Sequence, residues 1–467
     1  MAAIRLQLAA LAIVVLAGCK PSHEEARHFK IAERELNVPA PARDKAFDQR
    51  LEWNLETCVD AYNKIGSHDR KWDFAARGAL QIMAQQNAVE SVWVESSKNL
   101  LPMYLDEAAK AGCDDPLVKY EEVLRPDPEK FKTTQERNDA LRDAAFNLQG
   151  SKYPPFRKFR ACYNAFYAMR YVPPYSPDLQ TLLDDMQADF FAALEDKDLP
   201  PAELYQGGSD YEWCIHGWTD FQLRWKPLDT ILSNRWSASE ATYLLRGRYF
   251  QDSAWEARGG GWAKDVSASA WKIFFERLVL AEQNLSKAAE IAPADARPAT
   301  IMISVSAARQ KLNDMETWFQ RAMLLNPNNY DACKSKLGYL DPRWYGTAGT
   351  MLDFGRQCVA STNWAGKVPL ILADAHWTLS QEAGTNVYWT PEIWPDIQAS
   401  FGKFFELNPN AKTWRNNYAW YAYVCSQWDV CAKQLALLGE DIDYPYFGGE
   451  DAVAKMREAV ASHTAKK

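Results

Sequence analysis

Two loops in the second half of the sequence carry side chains that could recognise a ligand. The first joins Arg258 to Trp262 through three consecutive glycines, and Trp255 precedes the arginine by three positions. The second reads Pro342-Arg343-Trp344-Tyr345-Gly346. A guanidinium offers a planar fork of donors to carboxylates, aromatic rings offer faces for stacking, and glycine lets the backbone approach another group closely. The sequence therefore predicts a partner-binding site made of Trp255, Arg258, Trp262, Arg343, Trp344 and Tyr345.

The same residue types also allow a purely structural interpretation. Large aromatic side chains in helical repeats usually fill the space between helices. An arginine beside them can stack on the rings or bond loop carbonyls. On that interpretation the two loops lock helix pairs together and bind no partner, and the sequence alone leaves both interpretations open.

Motifs for catalysis are scarce. The sequence contains no GxSxG elbow, phosphate-binding loop, dinucleotide fingerprint or EF-hand, and residues 269–272 match SxxK without its SDN and KTG partners. Asp341 and Glu212 are acids to which no pattern points. The histidines away from the chain ends are His68, His216 and His376. Because these histidines are few and scattered, we predict no metal site. Since motifs for catalysis and cofactor binding are scarce, we also predict no cofactor and no catalytic residue.

Composition excludes other classes of protein. Of 467 residues, 47% are hydrophobic and 24% are charged, as in globular proteins, so wholesale disorder is excluded. Lys and Arg number 53 against 61 Asp and Glu, a net charge of −8, and no basic stripe is visible. We therefore predict no nucleic-acid partner.

The first residues resemble the signal of a bacterial lipoprotein. Arg5 is followed by a short apolar run that ends in Leu16-Ala17-Gly18-Cys19, a sequence similar to a lipobox. The resemblance implies cleavage before Cys19 and acylation of that residue, with several acyl chains giving a stable anchor in the bilayer. Lys20 stands where an inner-membrane lipoprotein has Asp, which favours the outer membrane, facing the periplasm. An ordinary secretory signal with a chance cysteine is the alternative.

Eight further cysteines would allow up to four disulfides in an exported chain, and small buried thiols are the alternative. The candidate pairs, in order, are Cys425 with Cys431 and Cys333 with Cys358. A continuous helix would hold the Cα atoms of the first pair about 9 Å apart, beyond the roughly 7 Å that a disulfide spans. That pair therefore requires a helix end near Ser426 and a new helix near Val430, with Asp429 as its N-cap. The second pair rests only on adjacent predicted helices.

Apolar residues follow a spacing of three and four through most of the chain, as at Leu179, Leu182 and Leu183, and no sustained alternation indicates a strand. The strongest predicted breaks are Pro154-Pro155, Pro173-Pro174, Pro200-Pro201 and Gly207-Gly208. The pattern predicts an all-α protein of stacked antiparallel helical hairpins.

An internal repeat makes that prediction more specific. The segments AEQNLSKAAEIAP and METWFQRAMLLNP end at Pro293 and Pro327, which are 34 residues apart, the period of tetratricopeptide repeats. A third copy ends near Pro409. We predict a tetratricopeptide-like α-solenoid in the C-terminal half. The predicted regions are a signal peptide (1–18), a lipidated cysteine and tether (19–44), an N-terminal helical region (45–230), the repeat region (231–445) and a C-terminal helix and tail (446–467).

Residues 255–293 and 326–358 resemble an uncharacterised bacterial family of tetratricopeptide-like lipoproteins that contains a domain of unknown function. The resemblance covers about residues 230–440, and its recurrent marks are the Arg258 and Arg343 loops. It implies the fold and supplies no activity.

Three functions remain open. We predict a periplasm-facing, membrane-anchored scaffold that binds an envelope protein or peptide on its helical repeats. The alternatives are a glycan- or peptidoglycan-binding protein and an envelope enzyme whose acid lies in residues 45–230. Clustered outward aromatic side chains would favour the first two, and a buried carboxylate in a deep cleft would favour the third.

Overall fold

The computed structural model describes residues 43–88, 100–125, 130–131, 133–171, 175–384, 388–409, 411–439 and 441–464. Its secondary structure is helical, with no strand among these residues, and the helices pack in adjacent pairs, which confirms the predicted all-α fold of stacked hairpins. Cys19 and the predicted signal peptide lie outside the described residues. Within the described part, every helix is too short or too polar to span a bilayer.

The chain divides into two compact units. The N-terminal unit comprises Pro41–Tyr249 with Glu290–Ala292, and the C-terminal unit comprises Phe250–Ala289 with Pro293–Lys467. The division falls inside a helix, Glu240–Arg258, whereas the sequence analysis placed a boundary after residue 230.

The N-terminal unit is built from helical hairpins around an aromatic core. Asp115 caps one of its helices by accepting from the backbone N–H groups of Leu117 and Val118 (3.0 and 3.1 Å), and Pro155 and Pro201 occupy the first turns of two others, as proline prefers. A π-helical segment (Glu56–Asp60) joins its first two helices. The helices are α1 (Arg43–Leu55), α2 (Ala61–Ile65), α3 (Asp73–Ala88), α4 (Leu100–Lys110), α5 (Pro116–Leu124), α6 (Thr134–Gln149), α7 (Pro155–Met169), α8 (Asp178–Ala193), α9 (Pro201–Ile215) and α10 (Phe221–Arg235). They are followed by α11 (Glu240–Arg258), whose residues from Phe250 onward belong to the C-terminal unit.

The Gly207-Gly208 pair, predicted to break a helix, lies inside α9 instead. A Cβ atom on Gly207 would stand 2.7 Å from Cε2 of Phe190, and one on Gly208 would stand 2.4 Å from Cδ1 of Leu245. The glycines are therefore needed for close packing against neighbouring helices, and burial of that surface outweighs their low helix propensity.

The C-terminal unit contains the predicted repeats. Pro293, Pro327 and Pro409 each stand two residues beyond the end of a helix, as the repeat pattern predicted. Helix α13 packs against α14, α16 against α17, and α19 against α20. The helices are α12 (Ala268–Ile291), α13 (Arg297–Ala308), α14 (Leu312–Leu325), α15 (Tyr330–Tyr339), α16 (Ala348–Ala360), α17 (Ile371–Ala383), α18 (Trp394–Leu407), α19 (Trp414–Val424), α20 (Trp428–Leu438), α21 (Tyr444–Phe447) and α22 (Glu450–Thr464).

Two hairpin turns of this unit share one backbone geometry without glycine. Gln310, between α13 and α14, has φ of 62°, and Ser426, between α19 and α20, has φ of 59°. In each turn the N–H of the next residue donates to the carbonyl five positions earlier, at 2.9 Å for Lys311 and 2.7 Å for Gln427. These are the bonds of a Schellman-type helix end, in which a left-handed residue lets the chain reverse.

The second turn tests the helix boundaries predicted around the cysteine pair. Helix α19 ends at Val424, so the predicted end near Ser426 is confirmed within two residues. Helix α20 begins at Trp428 behind an N-cap at Gln427, and the expected cap at Asp429 is wrong because that residue already lies in the first turn.

Candidate functional site

The two predicted loops lie in the C-terminal unit, and their tryptophans are in contact. The ring centroids of Trp255, near the end of α11, and Trp344, between α15 and α16, are 6.0 Å apart in an edge-to-face arrangement. Trp255 also packs edge-on against Phe274 of α12 at 4.9 Å. Both indoles are half-buried. The fold therefore joins the two loops through a packed aromatic contact.

Arg258 is directed into the protein. It is 5% exposed, and its Nη1 donates to the carbonyls of Gly259 (2.7 Å) and Gly261 (3.1 Å). Its guanidinium carbon lies 5.1 Å from the ring centroid of Trp271 and 5.8 Å from that of Trp255. Burial lowers the pKa of Arg258. The arginine therefore holds the glycine loop in shape, the role that the structural interpretation assigns to it.

The glycine loop presents Trp262 to solvent. Gly259 has φ of 73°, a backbone conformation that side chains rarely adopt, so the chain can turn away from α11 there. The side chain of Trp262 is 57% exposed. Helix α12 begins six residues later and exposes Ile273 (40%) and Phe275 (38%), and Phe275 stacks on Trp271 at 5.8 Å. Through Trp271, the loop is thus continuous with an exposed apolar face of α12.

Arg343 is held within its own loop. Its Nε donates to Oδ1 of Asp341 at 2.9 Å, its Nη2 donates to Oδ2 at 2.5 Å, and its backbone N–H donates to Oδ1 at 2.8 Å. Asp341 is 3% exposed. Asp341, one of the two acids to which no sequence pattern pointed, therefore closes the loop, and its carboxylate already occupies the guanidinium of Arg343. Glu212, the other such acid, is 1% exposed and paired with Arg248 (3.3 Å).

Trp344 and Tyr345 pack inward. The Trp344 ring lies 5.6 Å from that of Tyr339, and the Tyr345 hydroxyl donates to the carbonyl of Ala307 at 3.1 Å. Burial raises the pKa of Tyr345 to about 12. Of the six predicted site residues, five have internal partners of this kind, and Trp262 is the one with a mainly exposed ring.

The eight described cysteines are buried thiols without disulfides in the structure. Neither Cys425 with Cys431 nor Cys333 with Cys358 is bonded there, so both pairings stay predictions. Burial raises the pKa of both Cys425 and Cys431 to about 12. Such thiols are unreactive at neutral pH, as small hydrophobic residues would be.

A buried polar chain in the C-terminal unit escaped the sequence analysis. His376 is 4% exposed, and its Nδ1 lies 2.8 Å from the Tyr388 hydroxyl while its Nε2 lies 3.0 Å from Oδ2 of Asp396. Nη2 of Arg356 donates to the same carboxylate oxygen at 2.8 Å. Burial lowers the pKa of His376 more than Asp396 raises it. These hydrogen bonds link α16, α17 and α18 to one another. No local spacing of residues in the sequence indicates them.

A larger buried network lies in the N-terminal unit. Nη2 of Arg157 donates to Oδ1 of Asn54 and to Oγ1 of Thr57, both at 2.6 Å. Glu203 accepts from Nε of Arg50 (3.0 Å) and from Nδ2 of Asn54 (3.1 Å). All five side chains are buried. Helices α1, α7 and α9, together with the π-helical segment, are therefore joined by charged and polar groups inside the unit.

Glu121 of α5 is a second buried acid of this unit. It is 6% exposed, and burial raises its pKa to about 7, against the opposing charges of Arg125, Arg157 and Arg160. It is a buried carboxylate of the kind that the enzyme alternative requires. Its surroundings include the buried side chains of Arg157 and Cys58, so it belongs to the core.

The described residues contain no group of three His, Cys, Asp or Glu side chains placed to hold a metal ion. Comparison with models of known families finds no match to the chain, and comparison with curated proteins finds none either. The resemblance to a tetratricopeptide-like lipoprotein family therefore stays a prediction, and function must be argued from the residues themselves.

Proposed function

We propose that this chain is a membrane-anchored helical-repeat protein that faces the periplasm and binds a partner polypeptide through the surface around Trp262. The exposure of Trp262 carries the proposal: this residue is 57% exposed, and helix α12, which follows its loop, exposes Ile273 and Phe275, so the region offers apolar area that a partner can cover. Tryptophan is also among the residues most enriched at binding hot spots.

The roles of the other predicted site residues follow from their contacts. Arg258 bonds the carbonyls of Gly259 and Gly261 and so positions the loop that carries Trp262. Trp255 packs edge-to-face on Trp344, and its ring centroid lies 5.8 Å from the guanidinium carbon of Arg258. We assign them positioning roles, and we assign the contact with the partner to Trp262. A glycan ligand at these loops is less favoured, because Arg343 and Tyr345 already bond groups within the protein and Arg258 is 5% exposed.

The experiment is site-specific photo-crosslinking in living cells. Trp262→benzoylphenylalanine should yield an adduct with a polypeptide, and Phe74→benzoylphenylalanine, at a 73% exposed aromatic position of the N-terminal unit, should yield none or a different one. Arg258→Lys should reduce the adduct at 262, because a lysine lacks the planar guanidinium that packs near Trp271 while Nη1 donates to two loop carbonyls. Adducts to the same polypeptide in equal yield at positions 262 and 74 would refute partner binding at this surface. An adduct at position 262 whose added mass is not removed by protease would refute it too, because the captured molecule would then not be a polypeptide.

The anchor is tested separately. The position of Cys19 at the end of the Leu16-Ala17-Gly18 sequence supports acylation there. Cys19→Ser should leave an unprocessed precursor and abolish partitioning into the detergent phase, while Cys425→Ser should change neither. A Cys19→Ser protein that still partitions with membranes like the unmodified chain would remove the lipoprotein assignment.

A further inference from the structure

Two buried cysteines of the C-terminal unit lie side by side. Cys333 is the fourth residue of α15, Cys358 lies two residues before the end of α16, and these two helices are in contact. Both side chains are fully buried in the same apolar core, and the two thiols are hydrogen-bond partners. The Cys333 thiol also donates to Sδ of Met323 at 3.6 Å. Because a disulfide needs its two sulfur atoms and their carbon neighbours close together, this contact is the arrangement from which one can form.

The pair placed first from the sequence, Cys425 with Cys431, shows no such contact. Helices α19 and α20 pack together, but burial is the cause that raises the pKa of either thiol, and we find no bond between the two sulfur atoms in this part of the described chain. Burial also raises the pKa of Cys358 well above its ordinary value, and there the neighbouring Cys333 thiol raises it further. The structure therefore favours the second pair over the first.

Burial decides when the two thiols can react. A thiol attacks a disulfide as its thiolate, and burial disfavours the thiolate of Cys358. An oxidant also has no access to Cys333 or Cys358 in the folded chain, because both are 0% exposed. A bond between them must therefore form during folding, before α15 and α16 close over the pair.

We propose that Cys333 and Cys358 are joined by a disulfide while the exported chain folds, through exchange with a protein disulfide of the cell envelope. One cysteine thiolate attacks that disulfide and releases one of its sulfur atoms, and the second cysteine thiolate then displaces the other. Two electrons and two protons pass from the cysteines to the oxidant, which leaves as a dithiol. The inference rests on the proposed periplasmic location, since thiols in the cytosol are kept reduced.

The bond has a consequence for the candidate site. It closes the segment 333–358, which contains the loop of Arg343 and Trp344, and Trp344 packs on Trp255. A disulfide removes conformations from the unfolded chain, so it stabilises the folded form of the segment that it closes.

Oxidative refolding of the full chain tests the pairing. The reduced chain is unfolded in urea, refolded in detergent with glutathione and glutathione disulfide, unfolded again with an alkylating agent, and mapped by mass spectrometry without reductant. We expect peptides linked through Cys333 and Cys358, with Cys425 and Cys431 alkylated. Alkylation of both Cys333 and Cys358, or a link from either of them to another cysteine, would overturn the proposal.

Thermal unfolding gives a second measurement with matched variants. The oxidised chain should melt about 5 °C or more above the chain refolded with a phosphine reductant. Cys358→Ala should abolish this difference, whereas Cys425→Ala, which removes another buried thiol of the same unit, should retain it. A difference that survives in Cys358→Ala would show that another bond causes it, and the pairing would be wrong.

Protein isolated from cells separates this inference from the proposed location. The link should be present in the full chain taken from the envelope and absent from a form without residues 1–18 that is retained in the cytosol. Free thiols in the envelope protein, despite a link on refolding, would overturn the periplasmic location and with it the formation of the bond in cells. Failure to form the link on refolding would overturn the pairing itself, wherever the chain resides.

Discussion

The two units bury their charged groups in different ways. In the N-terminal unit, Arg50 pairs with Glu203 across 153 positions of sequence, and Arg157 bonds Asn54 across 103. In the C-terminal unit, Lys336 pairs with Glu316 across 20 positions, and Arg343 pairs with Asp341 across two. Helices of both units pack on their neighbours in sequence, but the buried polar network of the N-terminal unit also joins helices that are distant in sequence. We therefore expect that breaking a buried charge pair destabilises the whole N-terminal unit, whereas in the C-terminal unit it destabilises mainly the neighbouring helices.

The largest expected effect is that of Glu203→Ala. The change leaves Arg50 and Asn54 without the carboxylate that they bond in the interior, and breaking a buried pair in this way costs about 3–5 kcal/mol of unfolding free energy. Urea denaturation measures the loss. Hydrogen exchange should accelerate throughout the N-terminal unit.

The matched change is Glu316→Ala, which breaks the buried pair with Lys336 (2.8 Å). There, exchange should accelerate mainly in α13, α14 and α15. If hydrogen exchange accelerates throughout the C-terminal unit in Glu316→Ala, as is expected throughout the N-terminal unit in Glu203→Ala, the proposed difference between the two units is wrong.

The second prediction concerns pH. The pKa of Glu121 is about 7 in the folded chain against 4.5 ordinarily, so the folded state keeps a proton that the unfolded state has released. The stabilisation from this group is complete below pH 4.5 and is lost as the pH rises through 7. Glu121→Gln should therefore match the unmodified chain near pH 4 and exceed it by about 3 kcal/mol at pH 8, as measured by urea denaturation. A variant with the same pH profile as the unmodified chain would contradict this.

The third prediction separates positioning from contact in the candidate site. Arg258→Ala and Arg343→Ala should each lower the unfolding free energy by about 1–3 kcal/mol. The first removes a buried side chain that packs on Trp271 and bonds two loop carbonyls, and the second leaves the buried carboxylate of Asp341 without its donor. Trp262→Ala should cost less than about 0.5 kcal/mol, since its ring is exposed. Thermal denaturation compares the three variants. A Trp262 variant that melts as early as the arginine variants would make that residue structural too.

The smallest effect is expected at His376, and it has the opposite pH dependence to that of Glu121. Because the pKa of His376 is lowered by burial, the unfolded chain takes up the proton first as the pH falls below about 6.5, and the C-terminal unit loses stability there. The groups around it are Tyr388, Asp396 and Arg356. His376→Gln should make stability less dependent on pH between 5 and 7. If its profile stays as steep as that of the unmodified chain, another group controls the acid response.

The fold was predictable where it depends on neighbours in sequence. Helix ends at Pro293 and Pro327 follow from proline chemistry and from the 34-residue period, and the structure places both just beyond a helix. The same reasoning gave a wrong helix break at Gly207 and Gly208. The role of these glycines depends on Phe190 and Leu245, which only the fold brings near them. The hydrogen-bond network around Arg157 could not be predicted from the sequence for the same reason, because its members are distant from one another in sequence.

The candidate site was predictable as a location and not as a set of roles. Trp255 and Trp262 are chemically identical, and nothing in their spacing distinguishes the half-buried indole from the exposed one. Arg258 offers the same donors to a ligand as to the Gly259 carbonyl, and its direction depends on the shape of the glycine loop. Residue type indicated which side chains could contact a ligand, and packing decided which of them remain exposed.

The turns at Gln310 and Ser426 have a consequence for the stability of their hairpins. Each turn holds a residue with a Cβ atom in the left-handed region, which glycine adopts more readily, so each turn costs free energy that the packed helices on either side must offset. The two hydrogen bonds of each turn join backbone atoms, so glycine at either position would keep both of them. Each hairpin therefore has stability still to gain at a single residue.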